Sequence, residues 1–195
     1  MLLGLTGGIA TGKSTVARIL QDQAGIPCFD ADACVHDLLA ADVDIMVAVR
    51  REFALPDAPI DRRALGQIVF HDPEARRRLE RILHPAVRKK WQAMATESRE
   101  ADSDFLADIP LLFETGANNE FDTTIVVAAS LATQRQRLAE RRIVPEMIDR
   151  MLATQWPIGQ KVAVADHVVW NDGSLAELER QCELLLDALL PMRHE

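Results

Sequence analysis

The chain has 195 residues, 48% of them hydrophobic, with a net charge of −8 and a pI near 5.2. That length supports one domain with a sizeable core, and the acidic balance argues against a nucleic-acid coat. No cationic leader precedes a long apolar run and no stretch approaches the ~20 residues needed to cross a bilayer, so the expectation is a cytoplasmic protein with no membrane partner.

Five apolar runs too short for helices are expected as strands: residues 1–5, 26–29, 105–109, 125–129 and 167–170. Each is continuous rather than alternating, the pattern of strands buried on both faces of a parallel sheet. Between the first two lies TGGIATGKST (residues 6–15), followed by Val16, Ile19 and Leu20 on one helical face. From 34 to 99 the strand signal disappears. Asp72-Pro73-Glu74 reads there as a helix start, and Pro85 is expected to kink or end the following helix near His84. A second strand-free stretch follows Ser130, a candidate cap, and Leu175, Leu178, Cys182, Leu185, Leu186 and Leu189 form a last amphipathic helix. Strand–helix alternation points to an α/β fold with a parallel sheet. The cysteines, Cys28, Cys34 and Cys182, form no CxxC pair and read as reduced, small apolar side chains.

TGGIATGKST fits G-x-x-x-x-G-K-[ST] through Gly7, Gly12, Lys13 and Ser14. Glycines let the backbone curl so that successive N–H groups converge, and a helix starting there adds its positive end. Backbone N–H groups from about Ala10 to Thr15 would hold a β-phosphate, Lys13 would reach the β- and γ-phosphates, and the Ser14 hydroxyl would ligate Mg²⁺. Such a loop serves switches, motors and kinases alike. A GTP switch needs an N-K-x-D base-reading string, which is absent, and a motor usually has a longer chain or a basic surface. A small-molecule kinase needs a base near the acceptor hydroxyl and cations that close over the phosphates. In FDAD, Asp30 and Asp32 follow the second strand, at the sheet edge where open α/β folds bind ligands. Either could accept a hydroxyl proton, or merely cap the next helix. Residues 76–90 carry seven basic side chains against one acid, Glu80, and QRQRLAERR supplies Arg135, Arg137, Arg141 and Arg142. Most of these are expected on solvated helix faces.

Several segments in order resemble the dephospho-coenzyme A kinase family: LTGGIATGKST, FDAD, IDRRALGQIVFHDPEARRRLERILHPAV, DIPLLFETG, and an arginine-rich stretch before ADHVVWNDGS. The resemblance implies a P-loop NTPase fold: a parallel five-stranded sheet flanked by helices, with a helical substrate-binding insertion (34–99) and a helical lid (134–162) on a core of 1–33, 100–133 and 163–195. It implies ATP and dephospho-CoA as substrates, Mg²⁺ as cofactor, no nucleic acid, and a monomer or weak homo-oligomer. By matching position, Asp32 looks like the general base, and Lys13 with Gly7, Gly8, Ala10, Thr11, Gly12, Ser14 and Thr15 like the triphosphate cradle. His84 and Leu111 look like parts of the dephospho-CoA site, and Arg141 like the lid arginine nearest the phosphates. Asn171 and Gly173 fall where such kinases pass a loop beside the adenine, and Asp108 could orient Mg²⁺ through water. The chain departs from the family at Ala10-Thr11, where Gly-Ser is frequent, and at Trp156 and Gln160.

Overall fold

The computed structural model describes residues 1–190. Strand β1 (Leu2–Gly7) leads through the glycine loop into α1 (Lys13–Ala24), and β2 (Cys28–Asp30) follows. Four helices come next, α2 (Ala31–Ala41), α3 (Val43–Phe53), α4 (Arg62–His71) and α5 (Pro73–Glu100). Beyond β3 (Phe105–Asp108) and β4 (Thr123–Ala128) run α6 (Leu131–Glu140), α7 (Pro145–Leu152) and α8 (Ile158–Val164). Then come β5 (His167–Trp170) and α9 (Leu175–Leu189).

All five strands lie in one sheet in the order β2-β3-β1-β4-β5. β1 pairs in parallel with β3 and β4, and β4 pairs in parallel with β5. The loops that follow these strands therefore gather at one edge, with the glycine loop at the centre, where connections depart to opposite sides.

The chain divides into two compact units, Met1–Phe29 with Ser98–Glu195, and Asp30–Glu97. In the first, side-chain alternation along β4 splits the core between the two sheet faces. Ile125 and Val127 pack with Val16 and Leu20 of α1 and Leu178, Cys182 and Leu186 of α9. Val126 and Ala128 pack on the opposite face with Phe113, Trp156, Ile158 and Val162. Burial pushes the Cys182 thiol up to about 11, so it serves as an apolar core group, as expected. The central strands β1, β3 and β4 are buried along their whole length, but Val168 and Trp170 of β5 are exposed. The expectation of burial on both faces fails for β5 because it is an edge strand. Its outer backbone at Trp170 is closed by one side chain: Gln181 Oε1 accepts from Trp170 N–H (2.9 Å) and Gln181 Nε2 donates to Trp170 O (2.8 Å). This blocks pairing with a further strand.

Where β5 begins, the Asp166 carboxylate accepts from the Thr124 N–H (2.8 Å) and hydroxyl (2.7 Å). Thr124's hydroxyl and N–H hold the Asp166 carboxyl below the usual carboxylate range. A carboxyl whose folded pKa is depressed stabilises the fold above its unfolded value, and that contribution is lost as pH falls through the folded value. Asp166 is solvent-exposed, so the contribution is discounted to about 1 kcal/mol. Asp166→Asn is therefore expected to lower the melting temperature by about 2–4 °C at pH 7. The gap to wild type should close once pH drops below the ordinary carboxylate range; a gap unchanged down to pH 3 would refute the account.

The second unit is helical. Leu39, Val49, Leu65 and Leu83 are buried there, joined by Val35, Phe53 and Leu79. Aspartates start its helices: Asp30 caps α2, Asp42 caps α3 and Asp61 caps α4. Asp72 accepts from Glu74 N–H (2.8 Å) where α5 begins at Pro73, as expected of Asp-Pro-Glu. Of the two expected effects of Pro85, an end near His84 is not found: α5 runs on to Glu100. A proline inside a helix costs about 3 kcal/mol. Here Leu83, Val87, Trp91 and Ala95 form a buried stripe at four-residue intervals around it. Each large apolar side chain so buried contributes about 1.5–3 kcal/mol, which outweighs the proline. In the basic run, Arg76, Arg77 and Arg78 pair with Glu80, Glu74 and Glu52, so part of its charge is spent within the unit.

Candidate active site

The glycine loop is shaped by two left-handed residues, Ala10 (φ 59°) and Gly12 (φ 92°), and by a tight turn in which the Thr11 hydroxyl donates to Gly8 O (2.9 Å). Ala10 thus occupies a conformation that glycine adopts at no steric cost, which accounts physically for the frequent glycine there in the family it resembles. Gly7 must lack a side chain: a Cβ would lie 2.6 Å from Val127 O and 2.8 Å from Thr11 Oγ1. At Gly12 a Cβ would run into the Asn171 amide.

α2, α3, α4, α6 and α9 each begin on a capping Asp or Ser side chain, whereas α1 begins on Gly12 and, like α7 and α8, has no side-chain cap. The positive end of α1 is left open to an anion. Lys13, in its first turn, forms an ion pair with Asp108 at the end of β3; their side chains are only 13% and 3% exposed. Ser14 is exposed beside it.

Side chains from the far end of the chain hold the loop's carbonyls. Lys161 on α8 is fully buried and donates to Gly7 O (3.3 Å) and Pro110 O (2.7 Å), while pairing with Glu114 (3.0 Å). Burial pushes the Lys161 ammonium below its ordinary value, and Glu114 pulls it back up. Arg137 on α6 donates to Ala10 O (3.2 Å) and Asn171 O (2.9 Å). The Asn171 amide, 8% exposed, donates to Thr11 O (2.8 Å). On β1, Thr6 donates its hydroxyl to Pro110 O (3.0 Å), so the turn after β3 is tied to the same place.

Of the residues singled out in the sequence, Gly7, Gly8, Ala10, Thr11, Gly12, Lys13, Ser14, Thr15, Asp108 and Asn171 are brought together. Leu111 lies half-buried in the turn after β3, which Lys161 grips through Pro110. Gly173 precedes the α9 cap, where a Cβ would displace the Glu177 carboxylate from the Ser174 N–H and hydroxyl. Arg141 is exposed at the C-cap of α6. Asp32 and His84 belong to the helical unit. Asp32 is exposed in the first turn of α2, whereas the Asp30 carboxylate accepts from the Asp32 and Ala33 N–H groups (2.8 and 3.0 Å). Asp30 is the cap, and Asp32 keeps its carboxylate available. His84 is half-buried near the middle of α5 rather than at a helix end.

Sequence reasoning passed over Lys161, Glu114 and the role of Arg137. One signal was available for Lys161: it is one of the chain's four lysines and sits in a mostly apolar segment, KVAVA. Trp156, which departs from the family pattern, stacks on Phe113 with ring centroids 6.4 Å apart, and its N–H donates to Glu114 (2.9 Å). The backbone of Trp156, not its indole, therefore supports Glu114, the partner of Lys161.

A parallel five-stranded sheet of this order, with a G-x-x-x-x-G-K-[ST] loop at its centre, defines the P-loop NTPase fold found in P-loop kinases. Shikimate kinase from Bacteroides thetaiotaomicron shares the fold, with a TM-score of 0.53 at 14% identity over 97% of this chain and 98% of that one. A narrower likeness runs along most of the sequence. The family model for dephospho-CoA kinase matches residues 1–177, and the chain belongs to that family. It is 43% identical over 187 residues to a dephospho-CoA kinase of Geobacter metallireducens, covering 93% of this chain and 92% of that protein. The solved dephospho-CoA kinase from Campylobacter jejuni superposes with a TM-score of 0.71 at 28% identity, covering 96% of each chain.

Proposed function

We propose that this enzyme transfers the γ-phosphoryl group of ATP to the ribose 3′-hydroxyl of dephospho-CoA, giving coenzyme A and ADP. The family match from residue 1 to 177 carries this reading, because it includes the segments specific to the acceptor as well as the widely shared phosphate loop. The open end of α1 and the loop N–H groups hold the β-phosphate. Lys13, oriented by its ion pair with Asp108, is positioned to meet the β- and γ-oxygens.

Mg²⁺ fits the donors present. Among the described residues no group of three His, Cys, Asp or Glu side chains could hold a metal. Yet the Ser14 hydroxyl and the Asp108 carboxylate are hard oxygen donors beside Lys13. An ion held mostly by phosphates and water, with one or two protein oxygens, is what Mg²⁺ accepts, and it would supply charge neutralisation across the β- and γ-oxygens.

Transfer is in line. Asp32 accepts the hydroxyl proton late, because a loose transition state demands little nucleophile activation. Arg141, exposed after α6, is free to turn toward the transferring group. His84 and Leu111 contribute to the acceptor site, and Asn171 with Gly173 borders the adenine.

The deciding assay supplies ATP with dephospho-CoA, AMP, dTMP or shikimate in turn. ADP release and a new 3′-phosphomonoester are expected with dephospho-CoA alone, identified by ³¹P NMR. Absence of product with dephospho-CoA would sink the assignment. ATP binding without release of ADP for any acceptor would point to a nucleotide-sensing module.

A further inference from the structure

The carbonyls of the glycine loop, not only its N–H groups, are under side-chain control. Gly7 O is held by Lys161, Ala10 O by Arg137 and Thr11 O by Asn171. In a trans peptide the C=O and the following N–H point in opposite directions. Pulling Gly7 O toward Lys161 therefore turns the Gly8 N–H away from α8, and pulling Thr11 O toward Asn171 turns the Gly12 N–H away from the β5–α9 loop. The remaining peptide, whose carbonyl Arg137 holds, directs its Thr11 N–H to Gly8 O (3.4 Å) and closes the turn. Arg137 also donates to Asn171 O, so two of the three holders are themselves joined.

We propose that Lys161, Arg137 and Asn171 are positioning residues that set the phosphate loop from behind, and that Lys161 is the principal one. The proposal rests on this loop's being the triphosphate site, as argued above. Three observations single out Lys161. It is the only lysine or arginine among the described residues with no exposed surface. It spans two connections of the sheet edge, the end of β1 and the turn after β3. Its charge is answered by Glu114, itself braced by the Trp156 backbone N–H. A buried ammonium without its carboxylate is strongly destabilising, so retaining the pair where an apolar side chain would fill the space calls for a use. The use is geometric: a loop already turned for phosphate need not be reorganised when the anion arrives, which preserves affinity. α6 and α8 are thereby both fastened to the loop.

The test separates loop positioning from a fold requirement by removing the charge pair together. Lys161→Met/Glu114→Gln leaves no unpaired buried charge but gives Gly7 O no cation. Binding of ATP and of inorganic tripolyphosphate is measured by calorimetry for wild type, this double variant, Arg137→Met and Lys13→Ala. Tripolyphosphate has no base, so it reports on the loop alone. The expected result is a loss of at least tenfold in affinity for both ligands in the folded double variant and about fivefold in Arg137→Met. The ATP KM should rise in step and the dephospho-CoA KM should stay unchanged. Affinity within twofold of wild type in the folded double variant overturns the proposal, provided that Lys13→Ala has lost binding. If Lys13→Ala also binds both ligands normally, it is the phosphate-loop reading that has failed. Should the double variant not fold, Arg137→Met decides: weakened tripolyphosphate binding supports positioning. Normal tripolyphosphate binding refutes it, whether ATP is unaffected or weakened through direct contact of the arginine with the base.

Discussion

Asp32→Asn is expected to lower kcat by about 10²–10⁴-fold, the range that a positioned general base contributes, with ATP affinity held within about twofold. The structure makes this substitution unusually clean. Asp30 accepts the two N–H groups that open α2, and Asp32 takes no part in that cap. Asp32→Asn should therefore melt within about 1 °C of wild type, a surface substitution away from any cap or core feature. Asp30→Ala is the opposite case: it should cost about 1 kcal/mol of stability through the lost cap and leave most of kcat in place. Because a loose transition state takes the proton late, the kcat loss should be smaller for an acceptor with a more acidic hydroxyl. Wild-type turnover in Asp32→Asn would remove the residue from the reaction.

Gly12→Ala should damage both the fold and the phosphate site. At φ 92° an L-residue is strained by about 1–2 kcal/mol. The new Cβ would also overlap the Asn171 amide, which is buried and engaged with Thr11 O. Overpacking of that kind costs a further 1–3 kcal/mol or so. The sum, about 2–5 kcal/mol, corresponds to a fall of roughly 5–15 °C in melting temperature for a chain of this size. ATP affinity should fall at least tenfold, since the strain can be relieved only by rotating peptides that face the phosphate. Adding Asn171→Ala removes the overlap but not the backbone strain, so the double variant should recover part of the melting temperature and little of the affinity. A Gly12→Ala protein that melts within 1 °C of wild type would show that the Asn171 amide yields freely, contrary to its hydrogen bond.

Sequence reasoning reached the elements because their signals are local. Five apolar runs became five parallel strands, with His167–Trp170 matched to the residue and the others displaced by one or two. Asp72-Pro73-Glu74 and Ser130 marked helix starts for the same reason: a cap is decided by a few neighbouring residues. The helix does not end at Pro85 because a local rule worth about 3 kcal/mol met a buried stripe worth more, and burial is set by the tertiary structure. The same holds for β5, whose apolar sequence resembles a central strand although its place is at the edge.

The sequence by itself determined the chemistry on offer: a loop of N–H groups with Lys13 and Ser14, aspartates after the second strand, and a family whose segments recur in order along the chain. What only the tertiary structure decided is how those groups are divided and aimed. Asp30 and Asp32 are two residues apart and indistinguishable by composition, yet one is consumed by the helix start and the other is left free. Lys161 lies 154 residues from Gly7, Asn171 lies 160 from Thr11 and Arg137 lies 127 from Ala10. No periodicity or motif spans such intervals. The sheet brings the three together because its strand order returns the chain to β4 beside β1 and to β5 beside β4, and a carbonyl needs a donor within about 3 Å wherever in the sequence that donor arises.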